Sequence, residues 1–319
     1  MSQARLVSGW SAAAVLLLEI FFFTVLLAPE DGGRHSFANF DNFALVMKYS
    51  AIFGIGAIGA ALIIGTGGID LSPGSVIALA SVVTGHLFVA VGWPLAAACA
   101  AGLGVGVISG ATVAALIVFA RLPPFIATLG MMGIARGLAF LITEGRFYDL
   151  SSRIPPGLAP LGLQLAAWPG VLMVVLAVLF ETVLRRTALG RHLLATGGNE
   201  EAAHYAGVAI GRIKAFVYVS GATLAALAGV VLAVVQGQGK ADMASGYELD
   251  IIASAVIGGA SLSGGRASVV GAVIGSLIFG VLRNALAQIP GGTFADRLIL
   301  GVAVLLIVVM DRLAAGKER

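Results

Sequence analysis

The chain has 319 residues, of which 59% are hydrophobic and 11% charged, and a mean hydropathy of +1.02. Such a composition excludes a soluble globular core and describes a polytopic membrane protein. The net charge of +3 is carried by loop lysines and arginines, which argues for membrane orientation and against a nucleic-acid partner, and the single cysteine, Cys99, rules out an intrachain disulfide.

Apolar segments run at about 10–28, 43–65, 73–92, 94–120, 124–142, 167–184, 215–236, 249–263, 268–289 and 297–311. Most approach the ~20 residues that cross a ~30 Å hydrocarbon layer. The expectation is an all-α membrane protein in one domain, 1–319, with about ten transmembrane helices. The first segment is too long for the apolar core of a signal peptide and is read as a helix. The eighth is short enough to be a half-span or a re-entrant piece.

Between the second and third segments lies Gly65-Thr66-Gly67-Gly68-Ile69-Asp70-Leu71-Ser72-Pro73-Gly74-Ser75, a polar, helix-breaking run. Irregular backbone survives at membrane depth only where protein or an aqueous cavity satisfies it, so this break points to a solute pathway. Gly67 and Gly68 belong to the break. Asp70 and Ser72 can bond solute hydroxyls or cap the next helix. In the fourth segment Gly102, Gly106 and Gly110 form a ridge for close helix packing, as do Gly221, Ala225 and Gly229, and Gly271 with Gly275. The fifth segment offers Phe125 and Thr128, a ring face and a hydroxyl, for a solute or for packing. Arg136 falls near mid-span and requires a carboxylate or carbonyl partner, with Asp70 one candidate.

The segment 185–214 holds Arg185, Arg186, Arg191, Arg212 and Lys214, the densest basic loop, and is expected on the cytoplasmic side. Counting spans outward places both termini inside and the polar stretches 29–42, 143–166 and 237–248 outside. Within the basic loop, Asn199 can cap a helix of about two turns, Glu200 and Glu201 suit its positive end, Ala202, Ala203 and Ala206 favour it, and Gly207 can end it. Such a helix can dock in a groove on a partner or serve as an ordinary connector. Farther on, Gln236 ends the seventh segment and Arg283 and Asn284 lie in the ninth, polar enough to reach a cavity. Ile64-Gly65 followed by Leu71-Ser72-Pro73-Gly74 parallels Ile257-Gly258 followed by Leu262-Ser263-Gly264-Gly265; paired breaks in two halves mark the central region of many transporters. No hydrolase, metal-ligand or phosphate-loop pattern occurs, so neither a bound cofactor nor enzymatic activity is expected.

Several of these motifs together resemble a known family. Glu201-Ala202-Ala203-x-x-x-Gly207 is similar to the core of the cytoplasmic coupling loop of ATP-binding-cassette (ABC) importer permeases. Gly67-Gly68-Ile69-Asp70-Leu71-Ser72-x-Gly74, Pro124 to Leu129, Arg136-Gly137 and the stretch Glu248 to Gly265 resemble the ribose/xylose/galactofuranose branch. The resemblance implies a permease for a monosaccharide or small polyol in the bacterial inner membrane. It also implies a cytoplasmic ABC ATPase that binds the ATP, a periplasmic sugar-binding protein and a second permease subunit. The coupling residues would be Gly198, Asn199, Glu200, Glu201, Ala202, Ala203 and Gly207. The loop lacks the Leu-Pro that often follows this motif, and Pro73 stands where relatives often carry an ordinary residue. The competing reading is an ion-coupled secondary transporter using Asp70 and Asp250.

Overall fold

The computed structural model describes residues 4–28, 37–151, 153 and 168–289, with a few further positions up to 305. It is helical apart from one small hairpin. In chain order the elements are α1 (Ala4–Leu26), α2 (Phe40–Gly65), α3 (Pro73–Gly85, continued as a π-helix over His86–Val91), α4 (Leu95–Val118), α5 (Pro124–Thr143), β1 (Phe147–Asp149), α6 (Trp168–Arg186), α7 (Ala188–Gly198), α8 (Glu200–Tyr205), α9 (Ile210–Gln236), β2 (Gln238–Lys240), α10 (Tyr247–Ile257) and α11 (Val269–Gln288). Seven of these helices are long and apolar enough to cross a membrane, with α3 and its π extension counted as one; residues 12–26 of α1 form a shorter apolar helix. The chain is a multi-pass membrane protein. The expected tenth span, 297–311, lies largely outside the described residues.

Helix α2 is the axis of the bundle. Its apolar window is 83% buried against 28% for α5 and α6, so α2 is interior while α5 and α6 carry the outer surface. Around it pack α9, α11, α6 and α10; α9 in turn holds α4 and α3, and α1 lies on α11. Small residues make these approaches possible, because burial of apolar area gives little drive between helices in lipid and backbone contact must supply it. A Cβ on Gly59 would stand 2.8 Å from the Gly221 Cα, one on Gly106 2.6 Å from the Ala226 Cβ, and one on Gly110 2.6 Å from the Tyr218 carbonyl oxygen. Gly275 meets the Ser254 backbone of α10 in the same way, so all three expected ridges are helix contacts.

The hairpin marks one end of the bundle. β1 and β2 pair antiparallel, Tyr148 opposite Gly239, and pack on the outer part of α3. The Tyr148 hydroxyl donates to the Ile142 carbonyl at 2.8 Å and receives His86 Nδ1 at 2.9 Å, which assigns the proton to that ring nitrogen. Segment α7–α8 marks the opposite end. Many polar groups inside the bundle are paired, as hydrocarbon favours, although the Ser50 and Tyr218 hydroxyls find no hydrogen-bond partner among the described residues. Asn42 and Asn284 exchange amide hydrogen bonds of 2.9 and 2.8 Å between α2 and α11, and Gln288 adds one to Asn284 at 2.9 Å. Glu181 accepts the Val269 amide at 2.8 Å, capping α11, and receives Arg185 at 2.8 Å.

The eighth segment, expected at 249–263 and short enough for a half-span or re-entrant piece, forms the eleven-residue helix α10. Residues 237–248 were expected as an outer loop; only the first few stay at the hairpin end. From Ala241 the chain descends without helix between α3 and α5 and turns at Gly246, whose φ of 88° is left-handed. It then starts the half-helix α10, whose Tyr247 ring lies 4.5 Å from that of Phe53, about 18 Å from the far end of α2 at 1.5 Å per residue.

Candidate functional site: two helix breaks and the segment that joins them

The first break is a folded loop. After α2 ends at Gly65, Gly67 takes φ 79° and the chain turns back between helices. Asp70 is 5% exposed, and its carboxylate accepts the Ser72 amide at 2.8 Å and the Ser72 hydroxyl at 2.7 Å, closing a local turn ahead of α3. Ser72 stands at the start of α3 without capping it through its own side chain. Thr128, fully buried at the start of the second turn of α5, donates to the Ile69 carbonyl at 3.3 Å and ties α5 to the break. Gly68 lies directly against the Tyr218 hydroxyl; Tyr218 is eight residues into α9, so the break runs about 12 Å along the bundle from the α8 end.

Arg136 does not reach Asp70. It sits twelve residues into α5, about 18 Å from Pro124, and its Nη1 donates to the carbonyls of Ala241 at 2.6 Å and Met243 at 2.8 Å. The carbonyl partner that a mid-span cation needs is therefore supplied by the descending chain after β2. On insertion scales such a cation costs roughly 2.5–3.5 kcal/mol, which these bonds offset. Asp242 stands between the two residues that supply these carbonyls.

Glu248 was not among the expected site residues. Its carboxylate is packed against Gly74, so closely that a Cβ there would overlap it, while the same Cβ would lie 2.6 Å from the Ala244 carbonyl oxygen. Glycine is required at 74 because the two chains meet there. The first turns of α3 and α10 thus meet at mid-depth, with the Glu248 carboxylate packed at the positive end of α3. Helix starts that meet beside breaks in the bundle are a mark of transporter centres. The available signal was Gly246-Tyr247-Glu248 directly before an apolar run too short to cross. Asp242 and Ser245 are exposed beside this junction, and Asp242 pairs with Lys240 at 2.8 Å.

The second break, 258–268, comes back to the first. The Gly265 amide donates to the Gly65 carbonyl at 3.1 Å. Wedged between them is the end of α7. A Cβ on Gly197 would overlap the Gly65 carbonyl oxygen and lie 2.6 Å from the Gly265 nitrogen, and one on Gly264 would overlap the Gly197 carbonyl. Three backbones meet here with no side chain between them. Immediately beyond, Asn199 caps α8 by accepting the Ala202 amide at 2.9 Å, Glu200 pairs with Lys214 at 2.6 Å, and Gly207 ends the turn at φ 82°. Glu201 and Ala202 are exposed, whereas Ala203 is buried. A cavity of about 790 Å³ lies between α8, the turn at Arg121 and the start of α9, with His204 and Arg212 among its walls.

The remaining candidates are dispersed. Phe125 is 49% exposed on the surface of α5. Gln236 is exposed at the hairpin end of α9, and Asn284 is engaged with Asn42 as above. Asp250 is 4% exposed and bound by Arg283 at 3.0 Å, whose guanidinium also lies 4.8 Å from the Phe53 ring centre. Asp70 and Asp250 are therefore both engaged and far from forming one dicarboxylate site. Among the described residues no cluster of three or more metal-ligating side chains occurs.

The family described as branched-chain amino acid transport system / permease component matches residues 42–310. The ribose import permease protein RbsC of Escherichia coli K12 is 34% identical over 295 residues, covering 90% of each chain. The RbsC of Bacillus subtilis is 36% identical over 273 residues, 85% of this chain and 84% of its own. The L-arabinose ABC transporter permease protein AraH of Azospirillum brasilense is 33% identical over 316 residues, 96% of this chain and 88% of its own. No solved structure matches the chain. Both helix breaks, the mid-depth junction and the α7–α8 segment fall inside the matched region, and the chain belongs to this ABC transporter permease family.

Proposed function

We propose that this chain is the membrane subunit of an ATP-driven importer for a monosaccharide or small polyol. The observation that carries the reading is the contact of Gly197 with both helix breaks. Through it, a displacement of the exposed α8 moves the two discontinuous segments whose half-helices meet at mid-depth. In this reading α8 lies in the cytoplasm and docks on an ABC ATPase, which binds and hydrolyses the ATP. The hairpin and its neighbouring loops receive a periplasmic sugar-binding protein, and a second permease subunit closes a solute pathway along the exposed face of α5. Both termini are cytoplasmic and the membrane is the bacterial inner membrane. Transport is then a population shift between outward- and inward-open packings, driven from α8. An ion-coupled mechanism through Asp70 and Asp250 finds no support in relatives, and both carboxylates are already engaged.

The test is ATP hydrolysis by this chain reconstituted in lipid with its ATPase and binding protein, native against Glu201→Lys. Stimulation by one sugar, lost in the variant while the complex still co-purifies, is the expected result. Uptake driven by a proton gradient without ATP would overturn the proposal.

A further inference from the structure

The surface of α5 and the descending segment carries charged groups at depths where lipid does not tolerate them. Arg136 uses only Nη1 in its bonds to Ala241 and Met243; its Nη2 and Nε find no acceptor among the described residues. The half-buried Glu248 accepts no hydrogen bond among those residues, and it does not close an ion pair with Arg136. Exposed Asp242 stands between the two residues whose carbonyls bind Arg136 and pairs with Lys240 at 2.8 Å. Beside them the helix surface is open: a Cβ added at Gly130, Gly133 or Gly137 would meet nothing within 4 Å.

The spare donors of Arg136, which is bound to the descending segment, and the unbonded carboxylate of Glu248 at the end of that segment thus leave one another unsatisfied, while Asp242 between them is held by Lys240. Arg136 and Lys240 balance Asp242 and Glu248, so the patch carries no net charge. Arginine only donates and a carboxylate only accepts, so a neutral ligand rich in hydroxyls, each of which donates and accepts, is complementary to both, and the pentose permeases among the relatives favour it over a zwitterion. We propose that Arg136, Asp242 and Glu248 form a station that recognises the hydroxyls of the transported sugar at mid-depth. This inference rests on the importer reading and names the residues that would read its substrate. Glu248 is the central acceptor, since it is held at the start of α3 and moves when either half-helix moves.

The experiment uses the full complex in vesicles and measures uptake of labelled D-ribose, L-arabinose, 2-deoxy-D-ribose and leucine. The native complex is expected to favour one pentose over the others and over leucine. Glu248→Gln should lower uptake of that pentose about tenfold, and Asp242→Asn less, while the preference for ribose over its deoxy analogue shrinks. A merely structural role for Glu248 would slow all sugars in the same proportion; that result, or unchanged discrimination in both variants, overturns the inference and leaves the importer reading intact. Asp242→Asn changes an exposed group, so it reports even where Glu248→Gln fails to assemble. Native uptake of leucine and of no sugar would overturn the monosaccharide reading itself, and the station with it.

Discussion

Gly197→Ala probes the three-backbone contact most directly. The added methyl carbon would lie 2.6 Å from the Gly265 nitrogen and overlap the Gly65 carbonyl. Overpacking a filled site costs about 1–3 kcal/mol, and with backbone on both sides nothing can rotate aside, which puts this site near about 3 kcal/mol. Alanine returns about 1 kcal/mol in helix propensity, leaving a net loss of about 2 kcal/mol. The neighbouring Gly198→Ala is the internal control. Its methyl would meet only the Gly265 Cα, at 3.9 Å, so the propensity gain stands unopposed. Thermal unfolding of the purified permease in detergent separates the two. At roughly 2–4 °C per kcal/mol, Gly197→Ala should lower the midpoint by about 4–8 °C while Gly198→Ala leaves it unchanged or raises it. Equal midpoints for the two variants would refute the packing argument, and with it the idea that α7 is clamped between the breaks.

Two further outcomes follow from the paired polar groups. Asp250→Asn leaves Arg283 without its charge partner inside the bundle and should cost about 3–5 kcal/mol in unfolding assays, partly recovered by a second change of Arg283→Met; a double variant no better than the single would reject the ion pair as the cause. Asn42→Leu takes the acceptor from the Asn284 amide at a cost of about 1–2 kcal/mol, and adding Asn284→Leu should restore part of it, since Gln288 then loses its own partner. Additive losses in that pair of variants would mean that the two amides act independently.

Much of the architecture was legible in the residues because a bilayer imposes strong rules. Length and hydropathy mark helices that must satisfy their own backbone, and small residues at four-residue spacing mark where those helices touch. The helix over Glu200–Tyr205 was readable from Asn199 and Gly207, since capping is a local interaction. The family too was carried by short motifs. Less was readable of the site. Asp70 and Arg136 stand out in the sequence as two opposite charges, yet they do not meet, because the partner carbonyls of Arg136 come from a segment 105 and 107 residues away.

Other parts of the site depended on packing alone. Residues 241–248 are polar and rich in turn formers, which reads as an outer loop. Their descent is decided by Arg136 and by the room at Gly74, neither of which their own sequence contains. The likeness of the two breaks was visible in one dimension, but the insertion of Gly197 between them was not. Composition and periodicity thus determined that this is a helical membrane protein with broken spans and a capped helix in its basic loop. Tertiary structure decided which breaks touch, at what depth the half-helices meet and which charges share a face, because a contact between distant segments depends on the backbone paths of both.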